Sequence, residues 1–149
     1  MSGQLKAIWT KTEWGGPMTS RESADLVAGR GIIGNINQGG RRQVTIIEEE
    51  TWAEVMRELG SDLPPETRRA NLLVGGIRLM ETRGKILKIG SVCRLLIRGE
   101  TKPCIAMDEK LPGLKNALKP NWNGGVFGEI LDDGRISVGD PVGWEAVLE

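Results

Sequence analysis

Twenty-one of the 149 residues are glycine, about twice the usual share, and they fall between short apolar runs. No Gly-X-Y period accompanies them, so a collagen-like chain is excluded. Glycine spread in this way punctuates a chain with tight turns and leaves little room for long helices. Short β-branched or leucine-rich runs between such turns predict a mainly β architecture. The length is that of one ordinary domain, residues 1–149, and suffices to bury a core even at 39% hydrophobic residues.

The runs can be placed one by one. Leu5-Lys6-Ala7-Ile8-Trp9 alternates apolar and polar residues and reads as a first strand. From Thr10 to Asn37 the chain is broken by glycines and predicts a long loop with a short helix or strand inside. Gln43-Val44-Thr45-Ile46-Ile47 is a β-branched strand leading into the clearest helix. There Thr51 and Glu54 form a capping box, and Trp52, Val55, Met56 and Leu59 share one face. Gly60 ends it. Residues 71–74, 86–90 and 92–97 read as three more strands. A short helix from Asp108 carries Pro112 in its first turn and sets Leu111, Leu114 and Leu118 on one face. Val126–Leu131 and Arg135–Val138, joined by Asp132-Asp133-Gly134, predict a hairpin. Gly139–Val142 leads into a last strand. No regular crossover helices separate these strands, which argues against a parallel α/β sheet. About seven short strands of mainly antiparallel pairing predict a closed or nearly closed barrel with two or three short helices.

The net charge is zero, but its distribution is uneven. Nine basic residues (Arg68, Arg69, Arg78, Arg83, Lys85, Lys88, Arg94, Arg98, Lys102) and two acids occupy residues 68–102. Seven acids face only Arg57 in residues 48–66, and six face only Arg135 in residues 129–149. A basic middle between acidic flanks suits either a small anionic ligand or strand faces that pair with one another. Zero net charge and the absence of tyrosine argue against specific nucleic-acid binding. The opening segment Met1–Lys6 has no apolar core for export, and no apolar run nears the ~18 residues of a membrane span. Two cysteines do not make a disulfide scaffold. A cytoplasmic chain with reduced thiols and no membrane association is the expectation.

The chain has no histidine, which closes most routes to a hydrolytic triad or a zinc site. The remaining reactive group is a thiol. Cys93 lies inside an apolar strand and reads as structural. Cys104 follows Lys102-Pro103 in a loop, near the cations Lys102 and Arg98, a setting for a reactive, persulfide-bearing or metal-ligating thiolate. One thiolate alone cannot close a metal site, but it can complete the coordination of a metal carried by an organic cofactor. Arg41-Arg42 after Gly39-Gly40, and Arg68-Arg69, are candidate phosphate clamps. Gly124-Gly125 allows backbone amides to approach an anion, and Trp122 beside them is placed to line a pocket.

These pieces, in this order, resemble the MOSC domain, the family named after the C-terminal domain of molybdenum cofactor sulfurase. The residues that carry the resemblance are Gly31–Gly34, Arg42–Ile46, Ala70–Leu72, Leu87–Gly90, Lys102-Pro103-Cys104, Gly124–Val126 and Gly134–Asp140, which span nearly the whole chain. The resemblance implies a MOSC-type β-barrel and binding of molybdenum cofactor (molybdopterin). It implies Cys104 as the metal ligand and catalytic residue, and a cofactor-binding role for Arg42, Asn71, Lys102 and Gly125 by motif position. Arg41, Trp122 and Gly124 complete the expected cofactor-binding set. Reduction of N-hydroxylated compounds, fed by an electron-donor protein, is one implied activity. Sulfur carriage on a Cys104 persulfide, loaded by a sulfur donor, and a non-catalytic binding module are the alternatives. The chain departs from the pattern at Asn35, where the family commonly has aspartate, and in lacking the histidines of some reductase members.

Overall fold

A computed structural model describes residues 3–146. Met1 and Ser2 of the opening segment, and Glu149 of the acidic C-terminal run, lie outside them. The strands are β1 (Gly3–Thr10), β2 (Thr19–Arg21), β3 (Ser23–Val27), β4 (Gly31–Ile32), β5 (Val44–Glu48), β6 (Leu72–Gly75), β7 (Ile86–Ile89), β8 (Cys93–Glu100), β9 (Val126–Ile130), β10 (Gly134–Ser137) and β11 (Pro141–Trp144). Three helices accompany them: α1 (Glu49–Leu59), α2 (Ala106–Lys110) and α3 (Leu114–Leu118).

Seven strands close a mixed barrel in the order β1-β6-β5-β9-β8-β7-β11. The ring is completed by β11 against β1, with Gly3 opposite Val142. All barrel pairs are antiparallel except β5 with β6, which α1 connects as a parallel crossover. The interior holds Leu5, Ile8, Ile46, Leu72, Leu87, Leu95, Ile97 and Val126, all fully buried. On β8 burial alternates: Cys93, Leu95 and Ile97 join the core, and Arg94, Leu96, Arg98 and Glu100 are partly exposed. Closure leaves no open edge in the ring, which is how a short-stranded sheet satisfies its backbone. Among the described residues no helix is long and apolar enough to cross a membrane.

Four local expectations are corrected. The segment from Thr10 to Asn37 is mostly loop, but it carries three short strands rather than one short element. It holds β2 on the outside of β1, and β3 and β4 in a small second sheet of order β10-β3-β4. The predicted hairpin does not pair, because both edges of β9 are already taken by β8 and β5. The Asp132–Gly134 turn instead delivers β10 to β3, where Gly134 lies opposite Leu26, and Asp133 accepts a 2.7 Å hydrogen bond from the Ala28 amide. The capping box at Thr51 is not used either. Helix α1 is capped three residues earlier, at Glu48, whose carboxylate accepts from the Leu79 amide at 2.8 Å and from the Thr51 hydroxyl at 3.2 Å.

The fourth correction concerns the helix expected from Asp108. Pro112 lacks an amide and crowds the preceding turn, so the segment divides into α2 and α3 around Leu111–Gly113. The apolar face survives the break. Met107, Leu114 and Leu118 pack with Trp52, Val55 and Met56 of α1 into a second core outside the barrel. That core supports the segment bearing Cys104.

Candidate functional site

Cys104 sits in the bend between β8 and α2, exposed, whereas Cys93 is buried in the barrel at 1% exposure. Burial pushes the Cys93 thiol up, with Asp132 and Asp140 adding to the effect, so it is held as an inert thiol. Cys104 opens on a cavity of about 370 Å³ lined also by Lys11, Trp14, Arg42, Arg68, Arg69 and Met107. Among the described residues no carboxylate lines it. Asn37, Thr45, Ile47, Ala70, Asn71, Thr101, Ala106 and Gly124 complete the wall.

The four cations differ in what they do. Arg68 is mostly withdrawn from solvent, and its guanidinium spans two loops. Nη2 donates to the Thr101 carbonyl at 2.9 Å and Nε to the Gly124 carbonyl at 3.2 Å. Burial lowers its pKa; the neighbouring Cys104 opposes that and the Arg42 charge adds to it. Gly124 is required here because a Cβ would collide with the Thr101 carbonyl and come within 3.2 Å of Arg68 Nη2. Arg69, in the left-handed conformation at φ 67°, turns the other way and donates to the Gly16 carbonyl at 2.7 Å. The pair thus ties together the three loops around the cavity. Lys11 and Arg42 have no hydrogen-bond or ion-pair partner among the described residues. Each instead faces an aromatic ring: Lys11 lies 5.9 Å from the Trp14 centroid and Arg42 5.0 Å from that of Phe127. The Lys11 ammonium is pushed below its ordinary pKa by burial, then by the charges of Arg69 and Arg42.

Asn71 and Asn35 form a buried knot behind this wall. The Asn71 amide donates to the Trp9 carbonyl at 3.1 Å and to Asn35 Oδ1 at 3.2 Å, and its oxygen accepts from the Thr45 amide at 3.1 Å. Asn35 Oδ1 also accepts from the Lys11 amide at 3.0 Å. The Asn35 amide therefore fixes the start of the loop that carries Lys11 and Trp14.

Of the residues expected from sequence, the structure gathers Arg42, Arg68, Arg69, Asn71, Cys104 and Gly124 on the cavity. Arg41 and Lys102 are exposed and off its lining. Trp122 packs half-buried against the barrel core with Arg83 over its ring at 5.8 Å. Gly125, at φ 97°, lets the chain pass against the Ile46 carbonyl, and its amide donates to the Trp122 carbonyl at 3.0 Å. Lys11, Trp14, Asn37, Thr45, Ile47 and Met107 were not anticipated. The one sequence signal for the first two is a tryptophan beside a lysine in a glycine-rich turn that offers it no core.

The structure thus presents a closed β-barrel with a single accessible thiol beside four cations in one cavity. The family model described as MOSC domain matches residues 33–143, and the chain belongs to the MOSC domain family. Among solved structures, the YUAD protein from Bacillus subtilis superposes with a TM-score of 0.82 at 21% identity, covering 99% of this chain and 98% of that one. YiiM from Escherichia coli superposes at 0.74 and 15% identity, covering 99% of this chain and 71% of that one. YiiM from Geobacillus stearothermophilus gives 0.70 and 17%, covering 97% and 75%. At these identities the likeness is one of fold. A search of curated proteins found no match.

Proposed function

We propose that this protein holds molybdenum cofactor in the cavity, with Cys104 as the protein's thiolate ligand. The supporting observation is the pairing of one exposed thiol with Lys11, Arg42, Arg68 and Arg69 in a cavity without a carboxylate. The donor set fits such a group. Among the described residues no cluster of three or more histidines, cysteines, aspartates or glutamates could hold a bare metal, so the other ligands must arrive with the cofactor. The cations suit its phosphate, and the Thr101 hydroxyl is buried at the cavity wall with no hydrogen-bond partner. When bound, the molybdenum would supply reductive oxygen-atom removal, with N-hydroxylated compounds as the substrate class and electrons from a partner protein. The chain itself supplies the thiolate, neutralises the phosphate and fixes the rim through the two arginine latches.

The test is molybdenum content per chain after anaerobic purification from a host shown to load a control protein. Wild type should carry molybdenum and Cys104→Ser should not; Arg42→Ala should retain less than wild type. Molybdenum in neither chain would overturn cofactor binding. The exposure of Cys104 also suits sulfur carriage, which predicts an adduct of about 32 Da on Cys104 after sulfur loading, removed by a thiol reductant.

A further inference from the structure

Four cations line the cavity, and among the described residues only Lys11 and Arg42 have every N–H donor uncommitted. Arg68 is committed to the Thr101 and Gly124 carbonyls and Arg69 to the Gly16 carbonyl. Lys11 and Arg42 are engaged only by aromatic faces. Beside Lys11 stands Trp14, 71% exposed although it is the largest type of apolar side chain. It belongs to the cavity wall, and its turn is anchored rather than loose. The Gly16 amide donates to the Glu13 carbonyl at 3.1 Å, and Arg69 holds the Gly16 carbonyl. The only cation near the indole face lies at 5.9 Å, the outer limit of a cation–π contact. An anchored, uncovered indole beside two unpaired cations is the arrangement that receives a planar ring and an anion of the same ligand.

We infer that Lys11 and Arg42 bind the ligand's anionic group and that Trp14 stacks on a planar fused ring attached to it, Arg68 and Arg69 being framework. The cavity thereby selects phosphorylated heteroaromatic compounds over phosphates that lack a ring. This rests on the cationic cavity proposed above as a binding site, but it needs no metal and no chemistry at Cys104.

The full-length protein is titrated with GMP, ribose 5-phosphate and guanosine, by calorimetry and by tryptophan emission. Trp14 is the most exposed of the five tryptophans, since Trp9 and Trp52 are buried and Trp122 and Trp144 partly buried, and the emission that Trp14→Ala removes defines its share. GMP should bind at least about tenfold more tightly than ribose 5-phosphate, the lower range of base stacking on an aromatic side chain, and should protect the emission from iodide. Trp14→Ala should erase that preference and leave ribose 5-phosphate affinity unchanged; Trp14→Phe should keep most of it. The double variant Lys11→Met/Arg42→Met should weaken both phosphates at least about tenfold. Equal affinity for the two phosphates, no binding of either, or a preference that survives Trp14→Ala would overturn the inference. Molybdenum retained on Cys104 without ring preference would defeat this inference alone. Ring preference without molybdenum would defeat the cofactor proposal alone.

Discussion

Arginine does two different jobs on opposite parts of this molecule. On the outer faces of β8 and β10 every arginine meets a carboxylate. Arg94 reaches Asp132 at 2.8 Å and Glu145 at 3.4 Å, Arg98 reaches Glu129 at 2.8 Å, and Arg135 reaches Asp25 at 3.0 Å. At the cavity Arg42, Arg68 and Arg69 meet none. The paired face is electrically closed and contributes little beyond local order, as exposed ion pairs do. The cavity keeps like charges together behind buried backbone, an arrangement that an incoming anion relieves. Composition alone counts Arg68, Arg69, Arg94 and Arg98 in one basic segment; their partners separate a carboxylate-paired wall from the candidate site.

The contrast depends on the rim staying in place, and its most sensitive point is a glycine. Gly125→Ala combines a positive φ with a collision against the Ile46 carbonyl, so it should lose about 3 kcal/mol in urea denaturation. A loss below about 1 kcal/mol would mean the rim adapts and does not need this close passage. Next is the latch. Arg68→Met strips the Thr101 and Gly124 carbonyls of their donor and should destabilise by about 2 kcal/mol. It should also change the alkylation rate of Cys104, while Cys93, buried in the barrel, stays unlabelled. An unchanged alkylation rate would show that Arg68 does not position the Cys104 loop.

A smaller effect separates the two regions directly. Inorganic phosphate at ten times its dissociation constant should stabilise the protein by about 1.4 kcal/mol, read as a rise in Tm over chloride of equal ionic strength. Lys11→Met/Arg42→Met should abolish the rise, and Arg94→Met should not. A rise that follows Arg94 would place the anion on the wrong face. The smallest effect is in acid. Hydrogen bonding to Arg94 holds the Asp132 carboxyl below its usual range, and Arg135 does the same for Asp25. A depressed carboxyl contributes stability that is fully present above its unfolded value and is lost as pH falls through the lower folded value. The wild-type stability should therefore decline below about pH 4, and Asp132→Asn should shallow that decline. An identical acid limb in the variant would mean that the pair adds nothing.

Much of the barrel was legible in the chain. Glycines at the turns and alternating or β-branched runs between them located the strands at 5–9, 86–90 and 92–97 within a residue or three of their observed ends. The pairing was less legible. The Asp132-Asp133-Gly134 turn carries a true hairpin signal, but a hairpin needs a vacant edge on β9, and β5 and β8, distant in sequence, had filled both. Strands β3 and β4 escaped notice because they are short and lie among glycines, and because β3, on which β4 pairs, finds its other partner in β10, more than a hundred residues away.

At the site, a thiol in a charged loop was readable at Cys104, and so was the helical face that supports it. Which arginines face a ligand was not, because that depends on where each guanidinium finds an acceptor. The sequence by itself determined the β-rich class, the inert and accessible thiols and the family pattern, since these follow from local periodicity, turn chemistry and the lack of histidine. Only the tertiary structure decided that Arg68 and Arg69 become latches, that Lys11 and Trp14 join Arg42 at the cavity, and that Trp122 turns to the core. Those outcomes depend on carbonyls and faces brought together by strand closure, over separations at which local sequence carries no information.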